Sequence, residues 1–158
     1  MMASAEAITR GLQRLGLAVE APAPKGRYAA AKTGGGLIFT AGQLSRREDS
    51  VISGTLHGDH EIDRGRQAAE LCAGRCLAAA ASVLPTGTAI TGVLQMRGFV
   101  NSTVNFTAHS RVLDSASAVL DAVLGETCSF VRTAIGVSSL PDGGTCEIEC
   151  IFTYTSAP

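Results

Sequence analysis

The chain predicts an α+β domain built on a mixed β-sheet with two long helices packed on one face. Three observations carry that expectation. Residues 61–84 place Ala68, Cys72, Cys76, Ala79 and Val83 on one helical stripe, and residues 110–124 repeat the pattern with Leu113, Ala116, Leu120 and Val123. Between and after these runs the period changes to two: residues 90–101, 131–137 and the run from Cys146 onward alternate as strands do.

The elements follow in order. Residues 4–15 carry Ile8, Leu12 and Leu15 at helical spacing, with Gly16 just beyond, and the run Ala21-Pro22-Ala23-Pro24 breaks the pattern. Residues 37–41 form a β-rich run between Gly34-Gly35-Gly36 and Gly42-Gln43, with residues 28–31 as the expected hairpin partner. Residues 45–60 mix charges, Gly and Ser without periodicity and predict a surface loop with at most a brief strand. The helix over 61–84 opens with Glu61 and Asp63, which favour the positive end of its dipole, and Pro85 follows its end. In the strand over 90–101, Val93, Gln95, Arg97 and Phe99 take one side and Leu94, Met96, Gly98 and Val100 the other; Gly125 is placed to stop the second long helix. No repeat or linker divides the chain, so residues 1–158 are expected to form a single domain, with 1–26 an N-terminal extension that contains the short helix.

Composition narrows the function classes. At 158 residues, with 46% hydrophobic residues and a positive mean hydropathy, the chain has the make-up of one globular domain. Only 17% of residues are charged, which points to more buried interface and less solvated surface than usual, as an oligomer provides. A net charge of −1 offers no long-range attraction to phosphate backbones and argues against a nucleic-acid partner. No run approaches the roughly 18 apolar residues of a membrane span, and the N-terminus lacks a secretory pattern. A cytoplasmic protein is expected, with organelle import left open. The cysteines Cys72, Cys76, Cys128, Cys146 and Cys150 are odd in number and sit largely in apolar segments, as reduced core thiols do, so no disulfide is expected.

Two opposite charges on apolar strands mark the candidate site. Arg132 stands in Val131-Arg132-Thr133-Ala134-Ile135-Gly136-Val137, and Glu147 opens Glu147-Ile148-Glu149-Cys150-Ile151-Phe152 after Leu140-Pro141-Asp142-Gly143-Gly144. A charge on a core-forming segment needs a partner or a ligand, because burying it alone is costly. Alternation assigns Cys146, Ile148, Cys150, Phe152 and Tyr154 to the core, and Arg132 and Glu147 to the face turned away from the helices. If residues 138–145 made a simple hairpin, Gly136 would oppose Glu147 and leave Arg132 on the order of 13 Å away. A ligand between the two groups, or a neighbouring subunit, is then expected rather than a direct ion pair.

The runs Leu37-Ile38-Phe39-Thr40-Ala41-Gly42-Gln43 and Arg132-Thr133-Ala134-Ile135-Gly136-Val137, and Leu140-Pro141 leading into Glu147-Ile148-Glu149, resemble the Rid family of reactive intermediate deaminases, also called the endoribonuclease L-PSP family. The resemblance covers nearly all of residues 28–152. It implies a chorismate-mutase-like fold and a homotrimer with ligand clefts between subunits. It further implies that Arg132 binds the carboxylate of a 2-imino acid and that Glu147, with a nearby backbone group, positions the hydrolytic water, with Tyr28 near the cleft. Guanidinium and carboxylate pair in a fixed geometry that aims the C=N carbon at that water, so no metal or cofactor is called for. The products would be a 2-oxo acid and ammonia. The chain departs from the family pattern at Ala41, where a serine is usual, at Ala134, where a cysteine is usual, and at Asp114, where an asparagine is usual. The loop between Asn101 and Arg111 is longer than usual and resembles a less characterised branch. Three readings follow: a cofactor-independent imine deaminase, a non-catalytic binding protein for small carboxylates with its chemistry lost through Ala41 and Asp114, and a ribonuclease, which the family's other name raises and the acidic pI opposes.

Other candidates have plainer explanations. Glu149 shares the face of Glu147 and is an alternative acid. Cys72 with Cys76, and Cys146 with Cys150, have spacings that allow metal ligation but fit core packing better. His57-Gly58-Asp59-His60 lacks a third convincing ligand and reads as a solvated loop, and Gly34-Gly35-Gly36 precedes a strand rather than a phosphate-binding helix. No Ser-His-Asp or Cys-His arrangement can be traced.

Overall fold

The computed structural model describes residues 2–125 and 129–156. Helix α1 (Ala5–Arg14) starts at Ser4, whose hydroxyl accepts the Ala7 N–H at 3.2 Å, and buries Ile8 and Leu12. Strands β1 (Ala31–Gly34) and β2 (Leu37–Thr40) form an antiparallel hairpin, turned by Gly35 and Gly36 at φ +60° and +78°. The short strands β3 (Gln43–Leu44), β4 (Arg46–Arg47) and β5 (Ser50–Val51) come next, then α2 (Ile62–Val83), β6 (Thr88–Asn101), α3 (His109–Leu124), β7 (Val131–Val137) and β8 (Cys146–Ser156).

The main sheet runs β1-β2-β8-β6-β7, with β3 also paired to β8, and β6 with β7 is its parallel pair. The helices pack on one face, so the α+β architecture with a mixed sheet is as expected. Small residues on α2 make this packing close: Ala68, Cys72, Cys76 and Ala79 are fully buried, and Cys72 and Cys76 donate their thiols to the carbonyls of Cys146 and Ile148 on β8. Burial pushes the Cys72 thiol well above its usual range, and Cys150 is raised by its contact with Cys76 and by burial, so these thiols stay protonated. Cys72, Cys76, Cys146 and Cys150 are all buried free thiols, while Cys128 lies outside the described residues. No described helix is long and apolar enough to cross a membrane.

Four expectations need correction. The partner of the 37–41 run is Ala31–Gly34 rather than residues 28–31, which leaves Tyr28 in the preceding turn and 55% exposed. The 45–60 segment is better anchored than a surface loop, for Ser45 and Leu56 are fully buried and the Leu56 N–H donates to Asn101 O at 2.9 Å. The alternation in β6 breaks at a bulge, where the pairing slips between Val93 and Gln95. Val93 therefore enters the core opposite Phe152, and Leu94 is 47% exposed.

The fourth correction matters most for the site. Strands β7 and β8 do not form a hairpin, because β6 lies between them, parallel to β7 and antiparallel to β8. The β6-α3-β7 segment is a helical crossover, which returns the chain parallel to β6 and leaves β7 at the edge. Met96 is therefore flanked by Arg132 and Cys150, and Phe99 by Ile135 and Glu147. Neighbours in such a row share a face, and residues three apart along a strand lie on opposite faces. Met96 and Cys150 are buried beneath the helices, so Arg132 is on the helix side. The other side carries Glu147, with Phe39, Val131 and Ile135 exposed around it.

Candidate functional site

Glu147 lies near the start of β8, between Leu44 of β3 and Phe99 of β6. Between β2 and β3 the chain leaves the ladder at Ala41-Gly42, and the Glu147 carboxylate occupies the space beside that break. A Cβ on Gly42 would stand 2.1 Å from Glu147 Oε1, so glycine is needed there for close approach. The two groups belong to a cleft of about 170 Å³ that Tyr28, Gln43, Arg75 and Asp142 also line. Ala41 immediately precedes it, with its N–H given to Ala30 O at 2.8 Å and its carbonyl accepting the Gln43 side chain at 3.3 Å.

Charge in the cleft is unevenly compensated. Asp142 is held below its usual range chiefly by the hydrogen bond from Arg46, helped by the charge of Lys25. Glu147 is raised above its usual range, first by burial and then by the negative charge of Glu149. Among the described residues no hydrogen bond or ion pair reaches the Glu147 carboxylate. Glu149, the alternative acid, is instead paired with Arg97 across the strands, its Oε1 accepting from Arg97 Nε at 2.6 Å. Glu147 is therefore the carboxylate with free lone pairs and a pKa moved toward neutrality, as general acid–base work requires.

Arg132 is held elsewhere. Its Nη1 donates to Asp114 Oδ1 and to Ser117 Oγ, both at 2.9 Å, and its Nη2 donates to Ser110 Oγ at 2.6 Å. All three partners are on α3. The expected common face for Arg132 and Glu147 is thus overturned: the sheet separates them within one chain. The predicted site residues divide accordingly. Tyr28 and Glu147 line the cleft and Ala41 adjoins its Gly42 in sequence, whereas Arg132, Asp114 and Ala134 gather along the seam of α3 and β7.

The loop motif His57-Gly58-Asp59-His60 is used for local pairing. His57 lies 3.1 Å from Glu61, whose carboxyl is pulled down to about 2 chiefly by the His57 N–H, and Asp59 pairs with Arg111. Among the described residues no three potential metal ligands cluster.

Two features escaped the reading of the sequence. Ser102 Oγ and His109 Nε2 are 3.1 Å apart at the carboxyl ends of β6 and β7, packed against Gly136, although no carboxylate contacts His109 among the described residues. Arg75, a charge within the apolar run of α2, reaches the Glu147 cleft. The signal for Arg75 was the one that singled out Arg132.

Comparison with known proteins agrees with this architecture. Protein TCP17 of Trypanosoma cruzi is 29% identical over 147 residues, covering 91% of this chain and 92% of that protein. The crystal structure of Atu1372 from Agrobacterium tumefaciens, a protein of unknown function, superposes with a TM-score of 0.79 at 28% identity, over 96% of this chain and 95% of the other. Escherichia coli TdcF, solved with bound serine, shares the fold at a TM-score of 0.59 and 19% identity, over 86% of this chain and 94% of its own. The model of the family described as Endoribonuclease L-PSP matches residues 18–153, and the chain belongs to that family.

Proposed function

We propose that the protein hydrolyses 2-imino acids, and the enamines that tautomerise to them, to 2-oxo acids and ammonia, in clefts formed where copies of the chain meet. The observation that carries this reading is Glu147, a carboxylate raised by burial, held against Gly42 and, among the described residues, paired with no cation. In the proposed reaction Glu147 takes a proton from water as the oxygen attacks the C=N carbon and passes it to the imine nitrogen, which leaves a neutral carbinolamine and a free carboxylate. The carbinolamine then collapses: Glu147 takes the hydroxyl proton and delivers it to the departing nitrogen, the C–N bond breaks, and the C=O bond forms as ammonia leaves. The imine carbon is already electrophilic, so orientation and proton transfer account for the acceleration.

Orientation needs a carboxylate anchor. Arg132 is suited to it, since the hydroxyls of Ser110 and Ser117 hold its guanidinium in place. Because the sheet separates Arg132 from Glu147 within one chain, a copy of the chain would have to present its Arg132 to its neighbour's Glu147. Exposed Phe39, Val131 and Ile135 on the Glu147 side give such an assembly, a homotrimer in this reading, apolar surface to bury. Serine bound to TdcF, a protein of the same fold, is a small amino acid of the size this cleft would take.

The test generates imines of several side chains in situ with an amino-acid oxidase and follows ammonia. Acceleration that Glu147→Gln abolishes is expected, and a rate equal to buffer for every side chain refutes the reading. A second reading, binding without turnover, draws on Asp114, whose pairing with Arg132 competes with the substrate carboxylate and loosens the orientation that turnover needs. Saturable binding of 2-oxo acids, lost in Arg132→Ala and never accompanied by turnover, would select it. Single-stranded RNA incubated with the protein is expected to remain intact, and its cleavage would select the ribonuclease reading.

A further inference from the structure

Among the described residues, Arg75 is a cation of the cleft without an ion-pair partner. It projects from α2 amid buried Cys72, Gly74, Cys76 and Leu77, and its Nε is buried without a hydrogen-bond partner. Among the described residues its guanidinium forms no ion pair. Its surroundings make this costly: burial lowers its pKa, and the nearby charge of Arg46 adds to the effect. Of the two acids that line the cleft, Asp142 is taken by Arg46 and Lys25, and Glu147 forms no ion pair with Arg75 among the described residues. Glu20 and Glu48 line the adjoining cleft that shares Arg46 and Arg75, and neither pairs with Arg75. A half-buried guanidinium beside a second one, with no carboxylate assigned to it, is arranged as an anion site whose anion comes from the ligand.

We propose that Arg75, with Arg46 beside it, forms a second anion subsite in the Glu147 cleft, so that the preferred ligands are short 2-oxo and 2-imino dicarboxylic acids. The carboxylate next to the reacting carbon would use Arg132 of a neighbouring copy, and the distal one would use Arg75. The assignment of the reacting end rests on the proposed function, whereas the subsite rests on Arg75 alone.

The experiment measures, by titration calorimetry on the full chain, the affinities for 2-oxoglutarate and for 2-oxobutyrate, which lacks the distal carboxylate. The expected ratio favours 2-oxoglutarate by about tenfold or more, the worth of one charge-assisted hydrogen bond. In Arg75→Gln the ratio falls to about one, and in Arg75→Lys it is intermediate, because an ammonium keeps the charge but loses the bidentate geometry. Equal affinities in the unaltered protein, no binding of either acid, or a ratio that persists in Arg75→Gln each overturns the proposal. Should Arg75→Gln not fold, the Arg75→Lys ratio decides on the same terms. Dicarboxylate preference without ammonia release would refute the hydrolase and keep the subsite, while turnover of imines without the preference would do the reverse.

Discussion

Replacing Gly42 with alanine separates the placement of Glu147 from the stability of the fold. The new Cβ would stand 2.1 Å from Glu147 Oε1 and 2.9 Å from Cδ. An ordinary carbon–oxygen contact is about 3.3 Å, so the carboxylate must retreat by roughly 1 Å. A displacement of that size at a reacting group costs about a hundredfold in rate, or about 2.7 kcal/mol of barrier. The group that yields is the end of a side chain, and Gly42 is outside the left-handed region, so alanine fits its backbone. Gly→Ala at such a site stabilises by about 0.4–1 kcal/mol through the unfolded chain. Gly42→Ala is therefore expected to lose about two orders of magnitude in ammonia release from an imine generated in situ while its Tm holds or rises slightly. In a Glu147→Gln background the same change should cost little more, since the group it displaces no longer acts. Activity within about twofold of the unaltered protein, or a full additional loss in the double variant, would show that Gly42 does not set the position of Glu147.

Further outcomes follow from the same geometry. Burial favours the protonated form of Glu147 when folded, so the folded chain keeps a proton that the unfolded chain releases near 4.5. Stability then falls as pH rises from there through the higher folded pKa, and Glu147→Gln should melt above the unaltered protein at neutral pH and level with it in acid, as Tm profiles will show. Removing the anchor in Arg132→Ala should weaken 2-oxo acid binding by about tenfold to a hundredfold, while Asp114→Asn, which frees the guanidinium of its counter-charge, should strengthen it. A carboxylate in the exposed apolar patch, Ile135→Glu, should shift the protein to monomers in light scattering and abolish turnover with little change in Tm.

Local periodicity made the helices and the last strand legible. Cys146, Ile148, Cys150 and Phe152 are buried as their alternation requires, and α2 and α3 fall within two residues of their expected ends. Non-local pairing was not legible. Residues 131–137 alternate equally well whether they pair with β8 or with β6, and only the α3 crossover decides between them, which reverses the face assigned to Arg132. An edge strand with Val131 and Ile135 on its open side also mimics a core strand, because its exposed face is apolar as well. The β6 bulge hid Leu94 for a related reason: one extra residue shifts every side chain before it without altering the composition. At the cleft, Gly42 and Glu147 were visible as a motif, but the contact between them joins residues on different strands and required the fold.

The placement of Arg132 and Glu147 on opposite faces of one sheet has a genetic consequence. On the proposed reading each chain carries two separable half-sites, and each half-site works with a neighbour's. A protein lacking Arg132 and another lacking Glu147 would then be inert alone, yet assemblies containing both would include intact pairs. Two defective alleles would complement one another in the same cell, whereas a single allele carrying both lesions would poison the assemblies it joins.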